Sequence, residues 1–272
     1  MDKLDRLGWA AGISFKSFGV TIGVRVNQAS FMDRILLHLP PGWTPGGSRI
    51  VERLYSLVIG QGGTSAMVRR LHLLYGNSEL LARSADLESV LQSFESSVHL
   101  HVAEMAPHKV FVHAGVVGWK EKAIVIPGRS FSGKSTLVAE FVRAGAKYYS
   151  DEYAVLDVQG NVHPYSRPVV MRENGARKKY TAEELGGIAG VNPLPVGVLL
   201  VTRYESGAQW RPCELSPGTG ALALFENAVS ARRHPKRALL SIQKAMSQAK
   251  GLKGGRGEAK HLVDEICNAA NQ

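Results

Sequence analysis

The sequence predicts an α/β fold, and three adjacent features carry that expectation. Residues 122–127, Lys-Ala-Ile-Val-Ile-Pro, form a short apolar run suited to a buried strand. The next nine residues, Gly128-Arg129-Ser130-Phe131-Ser132-Gly133-Lys134-Ser135-Thr136, spell G-x-x-x-x-G-K-[ST]. After them, Leu137, Val138, Phe141 and Val142 recur on one side of a helix. Strand, glycine-rich turn and helix together form the setting in which this pattern is a phosphate-binding loop. Its glycines let successive backbone N–H groups face inward, and the helix adds its positive dipole end. Lys134 is then expected to reach the β- and γ-phosphates, and the Ser135 hydroxyl to ligate Mg²⁺. The plainer alternative, a glycine-rich turn holding a sulfate or nothing, is not favoured.

A chain of 272 residues can bury a full core and suits one large domain or two modest ones. Hydrophobic residues make up 44% and charged residues 21%, which fits a globular protein. No stretch approaches the roughly 18 uninterrupted apolar residues of a membrane span, so no membrane partner is expected. The first nine residues lack the apolar core of a secretion signal. Cys213 and Cys267 have no metal-ligand spacing and are too few for a disulfide framework, so both are expected as inert packing residues. A cytoplasmic location follows as the expectation. The net charge of +10 is concentrated in residues 172–179 and 232–256. Neither stretch is interleaved with aromatics as a base-stacking surface would be, which argues against nucleic acid. A positive field equally attracts a nucleotide or an acidic partner.

Along the chain, residues 13–27 alternate in the period of half-buried strands. Residues 30–39 read as a short helix stopped by Pro40-Pro41-Gly42. Residues 52–59 and 67–75 read as strands separated by Gly60-Gln-Gly-Gly63, a turn with no helix after it. Residues 86–105 form the longest helix of this half. Its His99 and His101 are two apart and point in different directions, which argues against a metal site. Buried strands follow at 110–117, 123–126, 147–156 and 196–204. The tail reads as three helices, 220–229, 235–249 and 258–269, with residues 251–257 as a solvated helix–helix linker. The expected division is a small α+β domain over residues 1–106 and a phosphate-loop domain with a helical tail over 107–272.

Around the loop the residues suggest a family. Phe111-Val-His-Ala-Gly-Val-Val, a hairpin, the loop itself and Tyr149-Ser-Asp-Glu-Tyr-Ala-Val-Leu-Asp157 together resemble the HPr kinase/phosphorylase family and its HPr-kinase-like relatives. The match is specific over residues 110–157, looser over 158–230 and nearly absent from the N-terminal third. The resemblance implies a domain related in fold to phosphoenolpyruvate carboxykinases, with a mixed sheet around the loop. It implies an ATP- and Mg²⁺-dependent kinase in which Lys134 polarises the triphosphate and Asp151 accepts the proton of the acceptor hydroxyl. Glu152 is implied as a Mg²⁺ partner beside Ser135, and His113 as holding Asp151 or contacting the transferring phosphate. A strand-end carboxylate capping a turn and a histidine packed under the sheet are the bland readings of the same residues.

The chain also departs from the family. Thr136 stands where a glutamate usually follows the Gly-Lys-Ser, and Glu152 where the second acidic residue is an aspartate. The family's catalytic arginine has no counterpart in Pro217-Gly-Thr-Gly220, and Glu173 is out of register with its Mg²⁺-binding glutamate. Arg172 or Arg203 is the available substitute for positive charge. These departures argue against HPr itself as substrate. The expected acceptor is a serine-type hydroxyl on another peptide, protein or small molecule. Residues 172–179 are either a receiver for an acidic substrate or a solvated loop. The alternative function is an ATP-binding sensor module that transfers nothing. The family's members form homo-oligomers, but no oligomer contacts are recognisable here.

Overall fold

The structure, a computed structural model, describes residues 4–60, 71–128, 132–173 and 176–269. The chain divides into two compact units, Met1–Pro107 and His108–Gln272. In the first unit, β1 (Ala11–Ser17) and β2 (Val20–Val26) form a hairpin whose two turn residues, Phe18 and Gly19, both adopt positive φ. That is the turn whose twist matches paired strands. The short helix α1 (Met32–Leu36) follows, then β3 (Thr44–Gly46), β4 (Arg53–Val58), β5 (His72–Gly76) and β6 (Glu79–Ser84). The six strands lie in the order β3-β1-β2-β4-β5-β6, with only β2 and β4 parallel. Helix α2 (Leu87–Met105) starts where the Asp86 carboxylate accepts from the amides of Glu88 and Ser89. It buries Val90, Leu91, Phe94, Val98 and Val102, and Phe94 meets Tyr55 edge-on at 5.3 Å. His99 is also buried and donates to the His38 carbonyl (3.3 Å).

Two expectations here need adjustment. The helix expected over 30–39 is α-helical only over the five residues of α1, because a 3-10 turn (Ala29–Phe31) precedes it and the amides of His38 and Leu39 make i→i−3 bonds before Pro40. Of the strand expected over 67–75, residues 67–70 lie outside the described residues, and the described strand begins at His72.

The second unit is a mixed α/β structure. Its elements are β7 (Val110–Trp119), β8 (Lys122–Pro127), α3 (Lys134–Arg143), β9 (Lys147–Ser150), β10 (Tyr153–Leu156), β11 (Asn161–His163), β12 (Val169–Glu173), β13 (Ala176–Tyr180), β14 (Leu194–Tyr204), β15 (Cys213–Leu215), α4 (Pro217–Phe225), α5 (Pro235–Met246), β16 (Lys250–Arg256) and α6 (Ala259–Ala269). The main sheet runs β11-β10-β7-β8-β14-β16-β15, with β9 also on β7. Strands β8, β14 and β16 are mutually parallel and the other pairs antiparallel, so the sheet is mixed. The period of two sets the layers. On β8, Ile124 and Ile126 face the core under α3 and α6, while Ala123 and Val125 face the core under α4 and α5. A strand covered on both faces must be apolar throughout, as this one is. Burying Leu137, Phe141 and Leu262 in the first of these cores contributes about 1.5–3 kcal/mol each.

Three expectations are corrected in this unit. The supposed linker at 251–257 is strand β16, parallel to β14 from Val198↔Lys250 to Tyr204↔Arg256. Its glycines, which suggested a flexible connector, leave room for Leu215 and Trp210 to close over the strand. The single strand expected over 147–156 is two, because the Ser150 hydroxyl takes the amides of Glu152 (3.1 Å) and Tyr153 (2.9 Å) and kinks the chain at Asp151. Cys213 is exposed on β15, not packed, whereas Cys267 is buried.

Helix α3 lies so close to β7 that a Cβ on Gly115 would stand 2.5 Å from Val138 Cγ2. Gly115→Ala should therefore cost about 1–3 kcal/mol by overpacking. In chemical denaturation, the Gly115→Ala/Val138→Ala double variant should lose less than the sum of its singles.

Candidate functional site

Strand β8 delivers Gly128, and α3 begins at Lys134 with Gly133 as its N-cap. Arg129, Ser130 and Phe131 of the expected loop lie outside the described residues. Gly133 is left-handed (φ 81°, ψ 17°), and a Cβ there would stand 2.5 Å from Arg256 Nη2. Only glycine meets both conditions without strain. Arg256, buried at the end of β16, donates from Nη2 to the Gly133 carbonyl (3.0 Å) and from Nη1 to the Gly257 carbonyl (3.0 Å). Lys134 Nζ donates to the Gly128 carbonyl (2.7 Å), which joins the two ends of the turn through one side chain. Ser132 Oγ is buried with no hydrogen-bond partner among the described residues.

Opposite the turn stands Asp151, aimed by the Ser150 kink. Its carboxylate accepts from the Ser135 hydroxyl and from the Val170 amide, and its Oδ1 is buried without a partner. Burial is the largest influence on it and pushes its pKa up to about 6, against the opposing pull of Ser135 and Lys134. Burial also lowers the Lys134 pKa, with Asp151 opposing. The two groups therefore face each other in a poorly hydrated space. Glu152 forms an ion pair with Arg167, whose carbonyl accepts from the Tyr148 hydroxyl.

His113, on β7, is exposed to the cleft, and its ring lies 4.9 Å from that of Tyr153. The surrounding walls and then the Lys134 charge hold its pKa below the usual histidine value. Its backbone matters as much as its ring. The His113 carbonyl accepts from Gly128 N (3.3 Å), and its N–H donates to the Asn227 carbonyl (2.8 Å).

These groups line one cleft of about 510 Å³, bounded by Gly128, Lys134, Asp151, Glu152 and His113 on one side. The far side is the segment from Glu226 to Arg232. The volume falls within the roughly 300–1,000 Å³ of small-molecule sites. A buried carboxyl with a pKa near 6 is suited to taking up a proton near neutral pH. Cations at a helix N-terminus beside it suit a bound polyanion.

Not every expected residue reaches this cleft. Thr136 is exposed on α3. Glu173 is held on its own hairpin by Lys178 (2.9 Å) and Tyr180 (2.8 Å). Arg172 and Arg203 are exposed and not among the lining residues. Among the described residues no group of three or more His, Cys, Asp or Glu is placed to hold a metal ion. Three arginines were not anticipated: Arg167 on Glu152, Arg256 on Gly133, and Arg232 on the far wall. Their sequence settings, a Ser-Arg-Pro, a Gly-Gly-Arg-Gly and an Arg-Arg-His, gave no signal beyond charge.

Fold and site define a mixed α/β protein in which the end of β8 and the start of α3 meet at a polar cleft. No protein-family model and no curated protein matches the chain. Among solved structures it is similar to the Hpr(Ser) kinase/phosphatase from Coxiella burnetii, with 12% identity and a TM-score of 0.35. That likeness covers 59% of this chain and 95% of the other. It describes a distant structural relationship and does not place the chain in that family. Among the described residues no helix is long and apolar enough to cross a membrane.

The Asp151 pKa has a consequence for stability. A carboxyl raised in the folded state favours folding when protonated, and that contribution is lost as pH rises through about 6. Asp151→Asn, which carries no charge at any pH, should therefore melt higher than wild type above pH 6. The gap should narrow as pH falls toward 4. A difference in melting temperature that stays constant across this range would mean the carboxyl is solvated.

Proposed function

We propose that the second unit is a nucleoside-triphosphate-dependent phosphotransferase acting on a hydroxyl of a peptide, protein or small molecule. The observation that carries the reading is the convergence of Lys134, Asp151 and His113 on one cleft at the N-terminus of α3. Lys134 exchanges its bond to the Gly128 carbonyl for phosphate oxygens, whose charge offsets the burial of its ammonium group. The acceptor oxygen forms a bond to the terminal phosphorus as the bond from that phosphorus to the leaving diphosphate breaks. The acceptor's proton passes to Asp151, whose raised pKa suits it to receive one near neutral pH.

The residues present fit a magnesium ion, because Asp151 Oδ1 is a buried acceptor with no protein partner and Ser135 is bonded to the same carboxylate. Ser135 would hold the ion directly, and Asp151 Oδ1 would accept from one of the waters magnesium usually keeps, which leaves the carboxylate free of direct coordination. When bound, magnesium neutralises charge on the phosphate oxygens. Glu152, expected beside the ion, lines the same cleft and forms an ion pair with Arg167.

The rival reading is a nucleotide sensor without transfer, suggested by the lack of an arginine in residues 217–220. Arg232 on the cleft wall weakens that argument, since it supplies a guanidinium by another route. Lys134→Ala should abolish the rise in melting temperature given by MgATP or MgGTP. Asp151→Asn should keep that rise while label transfer from the γ-phosphate to acceptors in a cell extract falls about 10²–10⁴-fold. A wild type that binds nucleotide and labels nothing but water would establish the sensor instead.

A further inference from the structure

The unit has a second cleft, of about 490 Å³, bounded by Trp210, Arg256, Glu258, His261, Leu262 and Glu265. We infer that it holds the nucleoside half of the triphosphate whose phosphates the first cleft takes. This rests on the reading just proposed and adds the part of the ligand that reading leaves without a place.

Topology supplies the first argument. Strands β8, β14 and β16 are adjacent and parallel, so their carboxyl ends lie along one edge of the sheet. The phosphate turn leaves the end of β8 at Gly128. The second cleft lies at the ends of β14 and β16, where Tyr204 pairs with Arg256. In parallel sheets, ligands bind in the crevice beyond the carboxyl ends of the strands. A nucleotide has two chemically distinct halves, and here two neighbouring clefts share that edge.

Arg256 supplies the second argument, because it belongs to both places. Its Nη2 bonds the carbonyl of Gly133 in the phosphate turn, while the side chain lines the second cleft. The residue is only 3% exposed, and its Nε has no hydrogen-bond partner among the described residues. A buried guanidinium N–H without an acceptor is costly and points to an acceptor supplied by a ligand. A ribose oxygen or a ring nitrogen of a base meets that need.

The remaining lining matches a nucleoside as well. Trp210 and Leu262 are buried apolar walls against which a base can lie. Glu258 and Glu265 are exposed carboxylates that accept from ribose hydroxyls or from an exocyclic amine. Glu258 already accepts from the Tyr204 hydroxyl (3.3 Å), which orients it at the rim.

Calorimetric titration with MgATP, MgGTP and magnesium tripolyphosphate tests the assignment. Wild type should bind the better nucleotide at least about tenfold tighter than tripolyphosphate, the scale of one or two charged hydrogen bonds. His261→Trp fills the cleft from an exposed position of α6. It should bring nucleotide affinity down to that of tripolyphosphate and leave tripolyphosphate unchanged. Glu265→Ala, which removes an exposed side chain and spares the fold, should weaken the nucleotide alone, by about threefold or more. Equal binding of nucleotide and tripolyphosphate by wild type would overturn the inference. An unchanged ratio in both variants would do the same. A Lys134→Ala protein that still binds tripolyphosphate at full affinity would instead overturn the phosphate reading itself.

Discussion

Strand β7 is held along both of its edges, and the geometry of the cleft depends on that. One edge pairs with β10 over residues 110–113 and with β9 over 116–118. The other pairs with β8 from Ala114 to Trp119 and, before it, bridges Val112 to Ala228. A strand with both edges paired cannot slip without breaking two ladders at once. At two adjacent residues of this strand, three backbone bonds fix three different parts of the site. His113 O receives Gly128 N at the end of β8, His113 N reaches Asn227 O of the far wall, and Ala114 N reaches the carbonyl of Glu152. The turn, the acidic kink and the far wall are therefore positioned relative to one another by one element.

The electrostatics follow from that placement. Burial disfavours the charged forms of Lys134, His113 and Asp151 together, lowering the first two and raising the third. Lys134 and Asp151 relieve each other in part, but Lys134 also depresses His113. Poorly hydrated ionisable groups of this kind cost stability, and their concentration in one cleft is the usual mark of a working site. On the proposed reading, a polyanion with its cation offsets the burial of both Lys134 and Asp151.

The sequence made the α/β class legible because β7 and β8 are apolar on both faces and α3 carries its stripe at helical spacing, whereas the mixed sheet was implied only by the family resemblance. Strand β16 was hidden by composition. Glycine is depleted in strands because it adds nothing to packing, yet here the missing side chains admit Trp210 and Leu215. The break between β9 and β10 was hidden by a single hydroxyl, since Ser150 reads as an ordinary strand residue until its bonds to two amides are seen. Lys134 could be named from the spacing of the glycine-lysine motif, whereas Asp151 and His113 could be named only through the family resemblance. The arginines could not be named, because a long flexible side chain reaches its partner through the tertiary fold. Arg256 meets a glycine 123 positions away.

The far wall bears on whether the cleft only binds or also transfers. Residues 217–220, where the family resemblance implies an arginine, open helix α4, with the Ser216 hydroxyl capping it and Pro217 in its first turn. A helix start of that kind is set by capping chemistry and leaves its side chains committed to the turn. The guanidinium at the cleft comes instead from Arg232, at the end of a short 3-10 segment after α4, with Glu226 on the same wall. The wall opposite Gly128 and Lys134 carries both a carboxylate, Glu226, and a guanidinium, a mixed lining suited to a neutral or zwitterionic group such as a hydroxyl-bearing side chain with its own backbone. On the proposed reading, that mixed wall is the acceptor's side of the cleft.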